Sequence, residues 1–163
     1  MNFVRVLAVL FVLSLAACTT TQPASENPRR LAKRFCLFTN NEASSAPASL
    51  FTPSLVSAIN SALVKNDIIA RKYPDEKPPF GDGIPYQAYQ DNAPVCSVGK
   101  WIGPEADLRL EISHKFPKEP TANWTDHIVL KKIGPQWRID DILYGNDHTE
   151  GLRDALKNAF SSN

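Results

Sequence analysis

Residues 108–116 alternate without a break. Leu108, Leu110, Ile112, His114 and Phe116 fall on one parity, and Arg109, Glu111, Ser113 and Lys115 on the other. A period of two marks a strand with one face buried and one in water, so the chain must supply a cover for one side of a sheet. That cover is written earlier, at a different period. Leu31, Ala32, Phe35 and Phe38 recur at helical spacing behind Asn27 as N-cap and Pro28 in the first turn. Thr52-Pro53 repeats the start signal, and Leu55, Ile59, Ala62 and Leu63 form the next apolar face, in a helix predicted to continue to Lys72.

Further strands are predicted over 95–102 and 125–133, and Gly134-Pro135 turns the chain into a last strand over 136–144. There Trp137 and Ile139 share one parity while Ile142 and Tyr144 hold the other. A bulge near Asp140-Asp141 would return all four to the core side. Asp147 and Glu150 form a capping-box pattern for a final helix with Leu152, Ala155, Leu156 and Phe160 on its apolar face. Between helices and strands, residues 73–94 carry five prolines plus Gly81 and Gly83, and predict a long irregular loop whose Phe80, Tyr86 and Tyr89 pack down on something. Two helices, a loop, three to four antiparallel strands and a closing helix make an α+β domain with its helices packed on one curved sheet.

The N-terminus carries a different message. Arg5, the unbroken apolar run over 6–13 and Leu15-Ala16-Ala17-Cys18 have the layout of a secretory signal too short to span a bilayer. The ending resembles a bacterial lipobox, which predicts cleavage after residue 17, acylation of Cys18 and a polar tether over 18–27 before a single domain over 28–163. Thr19 in place of the aspartate that retains lipoproteins in the inner membrane predicts the periplasmic face of the outer membrane. The signal holds one of 18 basic residues and none of 17 acidic ones, leaving 17 of each and zero formal charge. Nucleic-acid binding, which needs a basic stripe, is not expected. With Cys18 on lipid, Cys36 and Cys96 form an even pair in an oxidising compartment, which predicts a disulfide. The sequon Asn123-Trp124-Thr125 carries no meaning in a bacterial envelope.

Chemistry is sparse. Asp140-Asp141, with His114 or His127 on neighbouring strands, is the sharpest candidate for moving protons. However, adjacent strand residues point to opposite faces, so at most one aspartate can face a pocket unless the bulge intervenes. His114, His127 and His148 show no metal-ligand spacing, and no nucleophile motif occurs. No catalytic residue, metal or cofactor is therefore predicted. Trp101, Trp124 and Trp137 could line a ligand pocket or fill it. Tyr86, Tyr89 and Trp101 are the candidate partner surface, because aromatics are enriched at binding hot spots.

Gly81-Asp82 and Gln90-Asp91 in the loop, then Trp137-Arg138-Ile139-Asp140-Asp141-Ile142-Leu143-Tyr144 before a helix containing Leu152, resemble a YbjP-like family of bacterial envelope lipoproteins of unknown function. The resemblance covers about residues 28–160. The chain departs from the family's Gly-Asp-Pro-Phe with Gly81-Asp82-Gly83-Ile84. What the resemblance implies is a cone-like fold similar to nuclear transport factor two and ketosteroid isomerase, and an envelope address. The function expected is a non-enzymatic outer-membrane lipoprotein that binds or positions another envelope protein. The alternative is a small-ligand pocket protein, or an isomerase- or hydratase-like enzyme using Asp140 or Asp141.

Overall fold

The computed structural model describes residues 26–40, 47–89, 93–104, 108–145, 147 and 149–161. The signal segment, Cys18, most of the tether, Gln90-Asp91 and His148 lie outside the described residues. Two N-terminal helices, α1 (Pro28–Asn40) and α2 (Pro53–Lys72), precede the strands β1 (Val95–Ile102), β2 (Leu108–Lys115), β3 (Trp124–Ile133) and β4 (Gln136–Leu143). A short closing helix, α3 (Leu152–Asn158), follows. The strands form one antiparallel sheet in the order β1-β2-β3-β4, and the class is α+β.

Local chemistry starts each helix. Asn27 Oδ1 accepts the Arg29 N–H at 2.8 Å, and Thr52 Oγ1 accepts the Leu55 N–H at 3.3 Å, so both predicted caps are in place. The predicted α1 face, Leu31, Ala32, Phe35 and Phe38, is buried throughout. In α2 Leu55, Ile59 and Ala62 are buried, but Leu63 is exposed and Asn66 takes the inner position. The reason lies in the loop: Asn66 Oδ1 accepts the Phe80 N–H at 2.8 Å, a bond that compensates burial of the amide. The closing helix begins later than the Asp147/Glu150 pattern predicts. Its N-cap is Gly151, whose N–H bonds Asp154 at 3.2 Å.

In the β3–β4 hairpin Gly134, at φ +57°, supplies the positive φ required early in a two-residue loop. The predicted bulge is present: Val129 pairs with Asp141 and Leu130 with Ile139, leaving Asp140 as the extra residue. Ile139 and Ile142 are accordingly both fully buried, with Trp137 and Tyr144 packed against the same core.

The outer edge of β4 is closed from two directions. Segment 50–52 lies parallel to it, with Thr52 N bonded to Ile139 O and Ile139 N to Leu50 O, each at 2.9 Å. On the other side of the bulge Tyr144 N bonds Glu150 O at 2.9 Å, and Leu143 bridges Gly151. A Cβ on Gly151 would fall 2.8 Å from Ile142 O, so this approach requires glycine. An edge strand covered in this way offers little template for another chain.

Candidate functional site

The bulge turns Asp140 into a junction. Its Oδ1 accepts Thr52 Oγ1 at 2.7 Å and Arg153 Nη2 at 2.9 Å, and its Oδ2 accepts Lys131 Nζ at 2.8 Å. Arg153 Nε also donates to the Asp140 carbonyl at 2.8 Å. One carboxylate thus ties the start of α2, β3 and α3 together. Burial pushes the Asp140 carboxyl up, but the bonds from Lys131 and Thr52 and the charges of Arg153 and Lys131 outweigh it, holding the pKa below the ordinary value. Asp141 does different work. Its Oδ1 accepts the N–H of Ile142 at 2.8 Å and of Arg153 at 3.1 Å, capping α3 from the neighbouring strand. Burial raises the Asp141 carboxyl despite those bonds.

Asp141 does not meet His114. Val129, the partner of Asp141, lies five residues along β3 from Trp124, the partner of His114. That is about 17 Å at the usual strand rise. His127 shares its parity with Glu111, 3.9 Å away, on the face opposite His114. The expected proton-moving pair with His114 does not assemble.

Sign and pH follow for Asp140. A carboxyl held below its unfolded pKa contributes stability that is present above the unfolded value and is lost as pH falls through the folded one. Asp140→Asn should therefore flatten the acid limb of the stability curve below about pH 4. The check is urea midpoints of wild type and variant between neutral and acid pH. Parallel curves would show that Asp140 does not contribute this way.

The cluster that sequence reasoning missed surrounds Asp126. This side chain is fully buried, accepting Gly145 N at 3.0 Å on Oδ1, and Trp124 Nε1 at 3.1 Å and Ala88 N at 3.2 Å on Oδ2. His114 is also fully buried, with Nε2 3.3 Å from Asp126 Oδ2 and its ring stacked on Trp124 at 4.6 Å. The approach is not a hydrogen bond: neither ring nitrogen of His114 has a hydrogen-bond partner among the described residues, and Trp124 and the 87–89 loop cover the pair. Parity was the available signal: Trp124, Asp126, Ile128 and Leu130 share the core face of β3.

The three aromatics predicted as one surface are separated. Tyr86 turns inward, 4.9 Å from Phe38 and stacked on Phe51 at 5.7 Å, and burial pushes its phenol up to about 12. Tyr144 OH donates to the neighbouring Pro85 carbonyl. Tyr86 is core packing because the loop needs an apolar anchor there. Tyr89 stays exposed, edge-on to Trp124 at 5.3 Å. Trp101 lies at the far end of β1, with the Arg29 guanidinium 5.6 Å from its ring. Cys36 and Cys96 are bridged, their Cα atoms 5.5 Å apart, which fixes α1 on β1.

Two open grooves flank the helices. One, of about 870 Å³, runs between α2 and the β3–β4 hairpin over Phe51, Val56, Val64 and Ile133, with Lys65 and Arg138 as its charged residues. The other, of about 450 Å³, runs between α1 and β1. Neither is lined by His114, Asp126, Asp140 or Asp141. Among the described residues no three His, Cys, Asp or Glu side chains are grouped to hold a metal ion, and no helix is long and apolar enough to cross a membrane. Comparison with protein-family models, curated proteins and solved structures finds no match for the chain.

Proposed function

We propose that the chain is an outer-membrane lipoprotein of the YbjP-like kind, whose periplasmic domain binds another envelope protein and catalyses no reaction. The groove along α2 carries this reading. Val64 is 59% exposed there, and Leu63, Ile68 and Ile133 add further apolar surface nearby. Exposed apolar groups gathered beside a groove favour a protein partner over bulk water. Because the charges lining the groove are both cationic, the occupant is an apolar segment carrying carboxylates. Asp140 and Asp141 support the reading too, since both oxygens of Asp140 and Oδ1 of Asp141 are committed to holding neighbouring elements in place. An anchor on Cys18 would confine the domain to one surface and raise the effective concentration of a membrane-resident partner.

The test is photocrosslinking in cells from a reactive residue placed at Asn60, which lines the groove. A discrete protein adduct is expected that disappears with Val64→Asp and persists with Tyr89→Ala. An adduct indifferent to Val64→Asp, or none, defeats the groove assignment. In the same cells Cys18→Ala should leave the membrane fraction. A variant still in the pellet defeats the anchor.

A further inference from the structure

We propose that the face built by α1 and β1 lies against an anionic phospholipid surface, with Arg29, Arg30 and Lys33 on headgroup phosphates and Leu37 and Trp101 at the interface. The proposal rests on the anchor reading for its geometry. Acylated Cys18 stands ten residues before Pro28, so α1 starts within about 35 Å of the membrane.

Charge is the first observation. In a chain with 18 basic and 17 acidic residues, α1 holds four cations and no acid, and β1 holds Lys100 and no acid. Arg34 is committed to Glu26 and Ser49, both at 2.8 Å. Arg29, Arg30 and Lys33 are exposed. Cations in the first turn oppose the helix dipole, an arrangement that destabilises an isolated helix and calls for an external anion. Shape is the second. Residues 29, 33 and 37 step by four along one side of the helix, ending in Leu37, 63% exposed. The groove beside them is lined by Arg29, Lys33 and Leu37, with the Cys36–Cys96 bridge and Val98. Cations above an apolar lining match a phosphate above acyl chains. Trp101, 39% exposed beside Arg29, is a side chain of the kind that settles at headgroup level.

The experiment uses the full acylated chain in vesicles of phosphatidylcholine alone or with phosphatidylglycerol, carrying a photoreactive residue at Leu37. Lipid adducts are expected with phosphatidylglycerol and lost at about 1 M salt, where the Debye length is about 3 Å. In R29E/R30E/K33E they should fall on the order of a hundredfold, since each cation near an anionic surface contributes about fivefold. Acids in the first turn favour the helix, so unfolding of α1 cannot account for that loss. The Cys36–Cys96 bridge, read by mass, checks the fold. Equal adducts in both vesicle types, adducts surviving charge reversal, none, or adducts to protein would overturn the proposal. The anchor reading fails separately if the chain does not float with phosphatidylcholine vesicles. In that case, flotation with phosphatidylglycerol that R29E/R30E/K33E abolishes sustains the α1 surface alone.

Discussion

Asp126→Ala should cost about 3–5 kcal/mol of stability, the most for any single substitution considered. The carboxylate satisfies Gly145 N, Trp124 Nε1 and Ala88 N and stands 3.3 Å from His114 Nε2, in a fully buried position. Alanine leaves those buried donors unpaired, and each unmet group costs about 1–3 kcal/mol. Asp126→Asn keeps one carbonyl oxygen and should cost about half as much, because some donors retain an acceptor. The Ala88 bond also holds the loop, so Tyr89 should lose its packing on Trp124 and tryptophan emission should shift to the red. Urea unfolding of the two variants checks the order. A loss below about 1 kcal/mol for Asp126→Ala would show that water or another acceptor replaces the carboxylate.

Removing the bridge is the second large effect. Cys36 and Cys96 are 60 residues apart, and a closed loop of that size removes unfolded-chain entropy equivalent to about 4 kcal/mol in the chain-entropy model. The native side depends on the bridge as well. It fastens α1 to β1, the edge strand whose outer residues Val95, Trp101 and Ile102 are each more than a third exposed. Cys36→Ser with Cys96→Ser should lower stability by about 2–5 kcal/mol. Protection of α1 amides from exchange should fall more than protection of β2 and β3. The unreduced chain should gain two protons in mass on reduction. Two titratable thiols in the unfolded, unreduced chain would show that the bridge is not formed in solution.

These two results bear on what was legible. The bulge at Asp140 could be read because Ile142 and Tyr144 sit on the wrong parity for an unbroken strand, and burial tolerates no such slip. The disulfide could be read from the signal-like N-terminus, which sets Cys18 apart, and from the even pair of cysteines that remains. Asp126 is harder to read because a lone carboxylate forms no motif, although parity within β3 places it among Trp124, Ile128 and Leu130. Tyr86 was legible as a loop aromatic but not as core, since its partners Phe38 and Phe51 lie 48 and 35 residues away in the chain. The start of α3 differs for a related reason: its N-cap is Gly151, and the first-turn N–H of Arg153 is taken by Asp141 from a strand, where local patterns offered Asp147. Local signals fix elements; which side chains those elements bring together depends on contacts no window contains.

The closure of β4 has a consequence for how the molecule is made. Thr52 meets Asp140 across 88 positions, and Ser54 meets Arg153 across 99. These bonds join the first third of the chain to its last stretch, so α2 cannot take its final seat until almost the whole polypeptide has been synthesised. Contacts of such high order make for slow folding, because loop-closure entropy is spent before they form. Until then the apolar faces of α1 and α2 have no sheet to lie on, and a growing chain in that state is exposed to aggregation or capture by a holding chaperone.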